Sequence, residues 1–325
     1  MARFPTVADV LAAAQRLQGV AVHTPLEPSP QLAEESGAAE VRLKLELLQP
    51  TGAFKLRGAE NKVALLAEAD PSQRLVAAST GNHGIAVAAA AARHGMRLTV
   101  LVPASVSPAK LERLRALESD TILVEIFGRD PDDVENEARR RDDEGIATYV
   151  APYNDADVVA GAATVGLEIM ESWPSCDAIV VPVGGAGLIS GIGLWAKAVR
   201  PGLRLVGVQP TASPPLYAYF ESGSQKAMPI APTLADGVAG NIERGSITWK
   251  MARQLVDEVV VIDEEAVADA MRWAAEAHHL IVEGSAALGV AALRAHLGGL
   301  DGRRVAVVLT GRNVDVATVR GVLDA

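Results

Sequence analysis

Short apolar runs alternate with longer alanine-rich segments along most of the chain, and this alternation restricts the possible folds more than any other feature. Strands that are apolar at nearly every position occur in parallel sheets whose two faces are both covered by helices. The pattern therefore predicts an α/β fold with mainly parallel sheets and helices on both faces. The nine predicted strands are VRLKLE, RLVAAS, RLTVLV, TILVEI, ATYVAP, DAIVVPV, RLVGVQ, EVVVID and RVAVVLT.

The distribution of these strands over the chain favours two lobes. About nine strands in 325 residues leave a single wound sheet possible, but two packed lobes are expected. The first residues predict an amphipathic helix that is capped near Thr6. Residues 209–246 are rich in Gly, Pro and Ser, which predicts a loop-rich connection at the wall of a site.

Composition excludes several classes of partner. The net charge of −10 and the pI of about 5.2 argue against binding to nucleic acid or to an anionic membrane. Cys176 is the only cysteine, so the chain can form neither an internal disulfide nor a cysteine metal cluster. The N-terminus lacks the features of a secretory signal, and the apolar run GIAVAAAAA is too short to span a bilayer. We therefore expect a cytoplasmic protein.

Four strand-to-helix junctions carry polar or glycine-rich sequences. In open α/β sheets, ligands bind where strands end and where helix N-termini point. These junctions are TGAFKLRGA with Lys55, STGNHG at 79–84, VGGAGLISG at 183–191 and TGRNVD at 310–315. They are the first candidates for a functional site.

Each junction taken alone also has a purely structural explanation. The glycine loop suits close helix packing, STGNHG suits a helix cap, TGRNVD suits a turn, and Lys55 suits a structural lysine. His278 and His279 follow a helical pattern without a partner motif, so we interpret them as structural or surface residues. The sequence contains no HExxH, paired-cysteine, calcium-loop or GxSxG motif.

The combination of the four junctions points to one cofactor. Together they supply a lysine, a glycine loop, an amide and a hydroxyl, each close to the end of a strand. Backbone N–H groups of a glycine loop before a helix favour an anion such as phosphate. Pyridoxal phosphate carries a phosphate and an aldehyde that forms a Schiff base with lysine. We therefore predict pyridoxal 5′-phosphate as the cofactor.

In this order, TGAFKLRGA, STGNHG, VPVGGAGLISG and LTGRNVD resemble the fold type II pyridoxal-phosphate enzymes, specifically the threonine/serine dehydratase group. The resemblance extends from about residue 24 to the last strand. It implies a two-lobed fold like that of the tryptophan synthase β subunit. Residues 1–45 and 150–325 would form the large cofactor-binding domain, and residues 46–149 would form the small domain. It also implies a homodimer.

The resemblance implies specific roles at the cofactor. Lys55 would bind the cofactor as a Schiff base and act as the catalytic residue. Phe54 would lie against the ring region, and Asn82 would bond the 3′-oxygen. Thr310 would place its hydroxyl at the pyridine nitrogen, and Glu283 would lie near the ring. The phosphate would be bound by backbone N–H groups of Gly184, Gly185, Ala186, Gly187 and Leu188.

The implied reaction is a β-elimination. A β-hydroxy amino acid such as L-threonine or L-serine would lose water and then ammonia, leaving a 2-oxo acid. The substrate carboxylate would be bound at a helix N-terminus. The residues implied for this contact are Ser79, Thr80, Gly81 and His83.

Departures from the resemblance leave alternatives open. Thr80 stands where serine racemases of the group carry a serine, which argues against racemisation. Gln209 replaces a glutamate of the divalent-cation site found in many relatives, so no metal of that kind is expected. Arg312 also occurs in hydroxyectoine-utilisation dehydratases, which leaves a specialised β-hydroxy amino acid as an alternative substrate. A β-replacement enzyme and a non-catalytic phosphometabolite-binding protein of the same fold are the remaining alternatives.

Overall fold

The computed structural model describes residues 3–324, which contain ten strands and thirteen α-helices. The strands are β1 (Leu26–Pro28), β2 (Glu40–Lys44), β3 (Arg74–Ala78), β4 (Arg97–Val102), β5 (Ile122–Ile126), β6 (Thr148–Tyr149), β7 (Ala178–Pro182), β8 (Arg204–Pro210), β9 (Glu258–Ile262) and β10 (Arg304–Val308). The helices are α1 (Val7–Arg16), α2 (Pro30–Ser36), α3 (Lys55–Ala69), α4 (Asn82–Arg93), α5 (Pro108–Arg115), α6 (Pro131–Asp143), α7 (Ala156–Ser172), α8 (Gly187–Val199), α9 (Pro215–Ser222), α10 (Ile247–Leu255), α11 (Glu264–His278), α12 (Gly284–Arg294) and α13 (Val316–Leu323).

The strands form two sheets. The first has six strands in the order β1-β2-β10-β7-β8-β9, and the second has four in the order β5-β4-β3-β6. Every pairing is parallel except that of β1 with β2 at one edge of the six-stranded sheet. All nine predicted strands are confirmed. The sequence analysis missed β1, because three residues that end in proline give no periodic signal.

Side chains of the six-stranded sheet alternate between two separate cores. On β7, Ala178 and Val180 face the core that α11 and α12 complete. Ile179 and Val181 face the core on the other side, to which α7 and α8 contribute. The period of two along each strand therefore explains why β7 is apolar at every position. The predicted cover of helices on both faces is confirmed.

The four-stranded sheet is built in the same way. Leu75 and Ala77 of β3 pack with α3 and α4, whereas Val76 packs with α6 on the opposite face. The division into a domain of residues 46–149 and a domain of residues 1–45 with 150–325 stays a prediction.

Two segments outside the sheets also test the sequence analysis. Thr6 caps α1 and shares a capping box with Asp9, so the predicted helix and its cap are confirmed. Residues 209–246 are mostly irregular, but they include α9 and a 3₁₀ turn, Asp236–Val238. The prediction of a purely loop-rich segment was therefore incomplete, since α9 is only eight residues long and begins between prolines.

The end of β10 is bonded to the segment that carries Lys55. Phe54 N donates to Thr310 O at 3.0 Å, and Arg312 N donates to Gly52 O at 2.9 Å. These two backbone bonds place the first turn of α3 beside the end of a central strand. Lys55 is thereby fixed at the edge where the strands of the six-stranded sheet end.

Glycines let α3 and α7 come into backbone contact. A Cβ on Gly161 of α7 would overlap the carbonyl oxygen of Arg57 on α3. A Cβ on Gly58 of α3 would lie 2.7 Å from the carbonyl oxygen of Val158. Because neither backbone can move without shifting its helix, both positions need glycine.

A buried cluster of charged side chains holds the same helix. Arg57 donates to Glu46 at 2.7 and 2.8 Å and to Glu168 of α7 at 2.6 and 2.9 Å. Lys44 at the end of β2 pairs with Glu168 and donates to Thr24 O at 2.7 Å. Burial opposes ionisation of Glu46, but Arg57 outweighs it and keeps the pKa of Glu46 below its usual range. The cluster therefore ties α3 to both β2 and α7.

Substitution of Gly161 tests the helix contact. Gly161→Ala is expected to lower the free energy of unfolding by about 1–3 kcal/mol, because the new methyl group must push α3 away from α7. Urea denaturation measures this effect. The matched control is Gly321→Ala in α13, where a Cβ meets no atom within 4 Å. A loss of stability at Gly161 no larger than that at Gly321 would contradict the role of the contact.

Substitution of Arg57 tests the ion cluster. Arg57→Met leaves Glu46 and Glu168 buried without their main partner, and we expect a loss of about 3–5 kcal/mol in the free energy of unfolding. Because Glu46 then loses the cation that lowers its pKa, the loss of stability should be largest near neutral pH and should shrink as the pH falls and the buried carboxyl takes up a proton. Arg140→Met on α6 is the control: Arg140 is half exposed and Glu137 keeps its pair with Arg141, so the urea midpoint should shift far less than for Arg57→Met. Equal behaviour of the two variants would exclude the proposed importance of Arg57.

Candidate active site

One cavity of about 240 Å³ lies where β3, β7 and β10 end. Its lining includes all fourteen residues to which the sequence analysis assigned a role. These residues are Phe54, Lys55, Ser79, Thr80, Gly81, Asn82, His83, Gly184, Gly185, Ala186, Gly187, Leu188, Glu283 and Thr310. The structure thus brings together segments that lie up to 256 positions apart in sequence, from Phe54 to Thr310.

Lys55 is the first residue of α3 and extends into the cavity. Its Nζ donates to the carbonyl oxygen of Pro152 at 2.7 Å and lies 5.3 Å from the centroid of the Phe54 ring. Burial lowers the pKa of Lys55 to about 8, although the nearby Glu283 acts in the opposite direction. A substantial fraction of neutral amine near physiological pH suits a nucleophile or a base.

The glycine loop between β7 and α8 leaves the N-terminus of α8 free. Ala186, at the N-cap, has a left-handed backbone with φ of 62° and makes no side-chain capping bond. The N–H groups at the start of this thirteen-residue helix are therefore available to a ligand at the cavity wall. Together with the helix dipole, they favour an anion.

Tyr153 explains why two positions of this loop are glycine. A Cβ on Gly185 would overlap the Tyr153 ring, and a Cβ on Gly187 would lie 2.9 Å from Tyr153 Cβ. The hydroxyl of Tyr153 accepts a hydrogen bond from the backbone N–H of Glu243 at 3.0 Å. Tyr153 therefore packs between the glycine loop and the irregular segment 223–246.

A second free helix N-terminus faces the cavity at α4. Gly81 is its N-cap and makes no side-chain bond, whereas Ser79 Oγ accepts from Gly81 N at 3.2 Å. The alternative explanation of STGNHG, in which Ser79 or Thr80 caps the helix, does not describe this turn. The first N–H groups of α4 are therefore open to an anionic ligand.

His83 is buried in its neutral form. Its Nε2 lies 2.7 Å from the carbonyl oxygen of Val150, which can only accept, so Nε2 carries the proton. Burial and the charge of Lys55 lower the pKa of His83 to about 3. Nδ1 is buried and has no hydrogen-bond partner among residues 3–324. At this nitrogen the ring can therefore accept a hydrogen bond but not donate one.

Asn82 and Glu283 lie side by side at the cavity wall and are hydrogen-bonded to each other. Asn82 Nδ2 lies 3.0 Å from both carboxylate oxygens of Glu283. Burial raises the pKa of Glu283 to about 7, although the hydrogen bond from Asn82 lowers it. Gly311 makes room for this carboxylate, because a Cβ there would lie 2.7 Å from Glu283 Oε1. Glu283 can therefore change its protonation state near neutral pH.

Thr310 offers the cavity an unsatisfied hydroxyl. Its Oγ1 is buried and has no hydrogen-bond partner among the described residues. A buried polar atom without a partner costs free energy unless a ligand satisfies it. The free hydroxyl, the two uncapped helix N-termini and the lysine of lowered pKa all fit a ligand with a phosphate, an aldehyde and a ring heteroatom. The site therefore fits pyridoxal phosphate.

The Gln209 side chain is hydrogen-bonded to Val183, the residue directly before the glycine loop. This side chain is fully buried, with Nε2 donating to Val183 O at 3.1 Å. Its Oε1 accepts from the backbone N–H groups of Leu216 and Tyr217 at 2.9 and 3.0 Å. The amide thus joins the segment before the glycine loop to the start of α9.

Over residues 3–324, no group of three or more His, Cys, Asp or Glu side chains is arranged to hold a metal ion.

The sequence analysis assigned no role to several residues of the cavity wall. Asn313 belongs to TGRNVD, a motif whose position at a strand end could have identified it. Lys110 pairs with Asp236 at the same wall, but neither lies in a recognisable motif. Only the folded chain brings α5 and the 3₁₀ turn together, so this pair had no local signal.

Comparisons with known proteins agree with this site. Residues 18–311 match the family described as pyridoxal-phosphate dependent enzyme. The L-threonine ammonia-lyase of Thermotoga maritima is 38% identical over 98% of this chain and 78% of its own length. The catabolic L-threonine dehydratase TdcB of Escherichia coli K12 is 33% identical over 98% of this chain and 96% of its own. The structure of maize serine racemase, 29% identical, covers 98% of this chain and 97% of its own with a TM-score of 0.89.

The family match covers the first three strand-end motifs and the first two residues of TGRNVD, and the relatives align with nearly the whole chain. The chain therefore belongs to the family of pyridoxal-phosphate-dependent enzymes.

Proposed function

We propose that this protein is a pyridoxal-phosphate-dependent ammonia-lyase. A proton from Cα and the β-hydroxyl of an amino acid such as L-threonine or L-serine leave as water, and hydrolysis of the product consumes one water and gives a 2-oxo acid and ammonia. The observation that carries the proposal is the position of Lys55, whose amine of lowered pKa shares one cavity with two uncapped helix N-termini and the free Thr310 hydroxyl. The relatives named L-threonine ammonia-lyase and L-threonine dehydratase support the same reaction.

Six parts of the cavity are assigned to the cofactor. Lys55 would attach it covalently, and the backbone N–H groups of residues 184–188 would bind its phosphate. Thr310 Oγ1 would find its missing hydrogen-bond partner at the ring nitrogen, Asn82 would face the 3′-oxygen, and Phe54 and Glu283 would lie near the ring. When bound, the cofactor withdraws electrons from the substrate Cα and thereby weakens its C–H bond.

Lys55 is the general base of the proposed reaction. Its amine, with a pKa of about 8, can take the proton from the substrate Cα at physiological pH. The hydroxyl of Thr310 differs from a carboxylate in that it does not hold a positive charge on its partner. The site therefore favours prompt loss of the β-hydroxyl over accumulation of negative charge at Cα. Hydrolysis of the resulting enamine in water then gives the 2-oxo acid and ammonia.

The start of α4 is assigned to the substrate carboxylate. Ser79, Thr80 and Gly81 lead into the free N–H groups of this helix, and an anion is favoured there. His83 is neutral with its Nε2 proton committed to Val150, so it donates no hydrogen bond to the carboxylate and contributes through the shape of the cavity wall. A carboxylate bound at this point lies in the same cavity as Lys55.

A homodimer in the cytoplasm completes the proposal. The single cysteine, Cys176, and the net charge of −10 support a reducing compartment and a small-molecule substrate without a nucleic-acid partner. Among the described residues, no helix is long and apolar enough to cross a membrane. Light scattering after size-exclusion chromatography tests the dimer.

An assay with a panel of β-hydroxy amino acids tests the proposed activity. Incubation of the cofactor-loaded protein with L-threonine, L-serine, phenylserine, hydroxyaspartate and a hydroxyectoine-derived amino acid should release a 2-oxo acid and ammonia in equal amounts from at least one of them. Lys55→Ala removes both the attachment point and the base, so the rate should fall by about 10³-fold or more. Lys250→Ala, which changes an exposed lysine on α10, should retain full activity.

The same assay separates the alternatives. A new amino acid formed after addition of a thiol would indicate a β-replacement enzyme, and a D-amino acid would indicate racemisation. A protein that binds the cofactor at Lys55 but releases ammonia from no substrate of the panel would contradict the lyase proposal. A protein that stays colourless with pyridoxal phosphate would contradict the assigned cofactor site.

The lowered pKa of Lys55 predicts how cofactor attachment depends on pH. Attachment needs the neutral amine, which is about one molecule in ten at pH 7 for a pKa near 8 but about one in 3,000 for an ordinary lysine. The rate of attachment to the cofactor-free protein should rise with pH and level off above about pH 8. Stopped-flow absorbance of the attached cofactor measures this rate.

The variant Glu283→Gln tests the lowered pKa of Lys55 in a second way. Glu283 raises the pKa of Lys55, so its neutral replacement should move the midpoint of the rate profile to lower pH. A wild-type rate that still climbs tenfold between about pH 9 and pH 10 would show that Lys55 has the pKa of an ordinary lysine.

A further inference from the structure

Asn313 joins three parts of the active site through its side chain. It lies three residues after Thr310 and lines the cavity. Its Nδ2 donates to the backbone carbonyl of Thr51 at 2.8 Å and to Asn82 Oδ1 at 2.6 Å. Asn313 thus connects the end of β10, the segment before Lys55 and the start of α4.

The partners of Asn313 determine the direction of every hydrogen bond in this chain. A backbone carbonyl only accepts, so the atom of Asn313 that faces Thr51 must be the amide nitrogen. The second hydrogen of that nitrogen points to Asn82, which must therefore present its oxygen. Asn82 is then obliged to turn its own nitrogen toward Glu283, 3.0 Å from each carboxylate oxygen. The backbone carbonyl of Thr51 thereby sets the orientation of the Asn82 amide through the Asn313 side chain, which is bonded to both.

Glu283 alone could not set this orientation. An ionised Glu283 accepts from the Asn82 nitrogen, but a protonated Glu283 could equally donate to the Asn82 oxygen. With a pKa of about 7, both forms of Glu283 are populated near neutral pH. Without Asn313, the Asn82 amide would therefore turn over as Glu283 takes up its proton.

Close packing keeps the Asn313 side chain in place. Gly52 has a left-handed backbone with φ of 77°, and a Cβ there would lie 2.7 Å from Asn313 Oδ1. Arg312 N donates to Gly52 O at 2.9 Å, so the two backbones are bonded next to this contact. The position of the Asn313 amide is thus fixed relative to the segment that precedes Lys55.

We propose that Asn313 is a positioning residue that holds the Asn82 amide with its nitrogen toward Glu283, in fixed register with the segment that carries Lys55. The role of Asn82 toward the cofactor belongs to the proposed function, and this inference rests on it. Asn313 itself acts through Asn82 and is assigned no contact with the cofactor or the substrate.

The isosteric change Asn313→Asp removes both donors and keeps the shape of the side chain. The new carboxylate can only accept, so the Asn82 amide should reverse and present its oxygen to Glu283. Glu283 then needs a proton to bond with Asn82, and its pKa should rise. Lys55 on α3, Lys110 on α5 and Asp236 in the 3₁₀ turn are the other charged groups at this cavity, and all three stay unchanged in the variant.

The experiment compares the cofactor-loaded wild type, Asn313→Asp and the control Asn241→Asp. Asn241 also makes two bonds with a backbone, to Met228 in an exposed loop, so its replacement removes a similar donor away from Asn82. The readouts are the absorption spectrum of the bound cofactor between about pH 6 and 9, the affinity for pyridoxal phosphate, and the melting temperature. For Asn313→Asp we expect the pH midpoint of the spectrum to rise by about one unit and the affinity to fall by about tenfold. Asn241→Asp should leave both unchanged.

Each outcome decides between a positioning and a merely structural role. A lowered melting temperature of Asn313→Asp with a wild-type spectrum, midpoint and affinity would overturn the proposal. If Asn313→Asp does not fold, Asn313→Ser, which keeps one donor, should give an intermediate midpoint shift, and a wild-type midpoint would overturn the proposal. A wild type that binds no pyridoxal phosphate would instead refute the proposed function, which distinguishes the two failures.

Discussion

The position of the active-site residue Lys55 depends on the buried ion pairs of the Arg57 guanidinium group. Arg57 lies two residues after Lys55 and binds Glu46 and Glu168, which belong to parts of the chain far apart in sequence. A buried charge without a partner lowers the stability of the folded chain. The arrangement in which Arg57, Glu46 and Glu168 are all paired is therefore strongly favoured. The close backbone contact between α3 and α7 at Gly58 and Gly161 restricts the position of α3 sterically, in addition to the ion pairs of Arg57. Together they fix the helix that begins with Lys55 in both distance and rotation.

Once α3 is fixed, strand ends and helix N-termini place the remaining groups of the site at the cavity. The strands β3, β7 and β10 all end near it, and the helices α4 and α8 begin there without side-chain caps. In α7 and α11, by contrast, the side chains of Asp155 and Asp263 accept hydrogen bonds from these first N–H groups. In α4 and α8 they remain available, as does the hydroxyl of Thr310. The site is therefore built largely from polar groups that the fold leaves without protein partners.

The sequence predicted those features that have a local signal. Apolar runs such as RLTVLV identify a strand by themselves, and this run coincides with β4. Short elements without periodicity, β1 and α9, escaped detection. The partners of Arg57 and the bond between Asn313 and Asn82 were also beyond reach, because they join residues 11 to 231 positions apart. Thirteen of the fourteen site residues could be named because each lies in a strand-end motif, and Glu283 could be named only from the family resemblance. Lys110 and Asp236 have neither signal.

The pKa values of Lys55 and Glu283 give the side chains of the cavity a net charge that changes sign with pH. Lys110 and Asp236 form an ion pair and cancel each other, and His83 is neutral. Below about pH 7 Glu283 is protonated and Lys55 is positive, whereas above about pH 8 Glu283 is negative and Lys55 is neutral. The side-chain charge of the cavity thus falls from positive to negative as the pH rises through this range, whereas the two helix N-termini favour an anion throughout. An amino acid carboxylate and a phosphate should therefore bind more weakly on the alkaline side of this range.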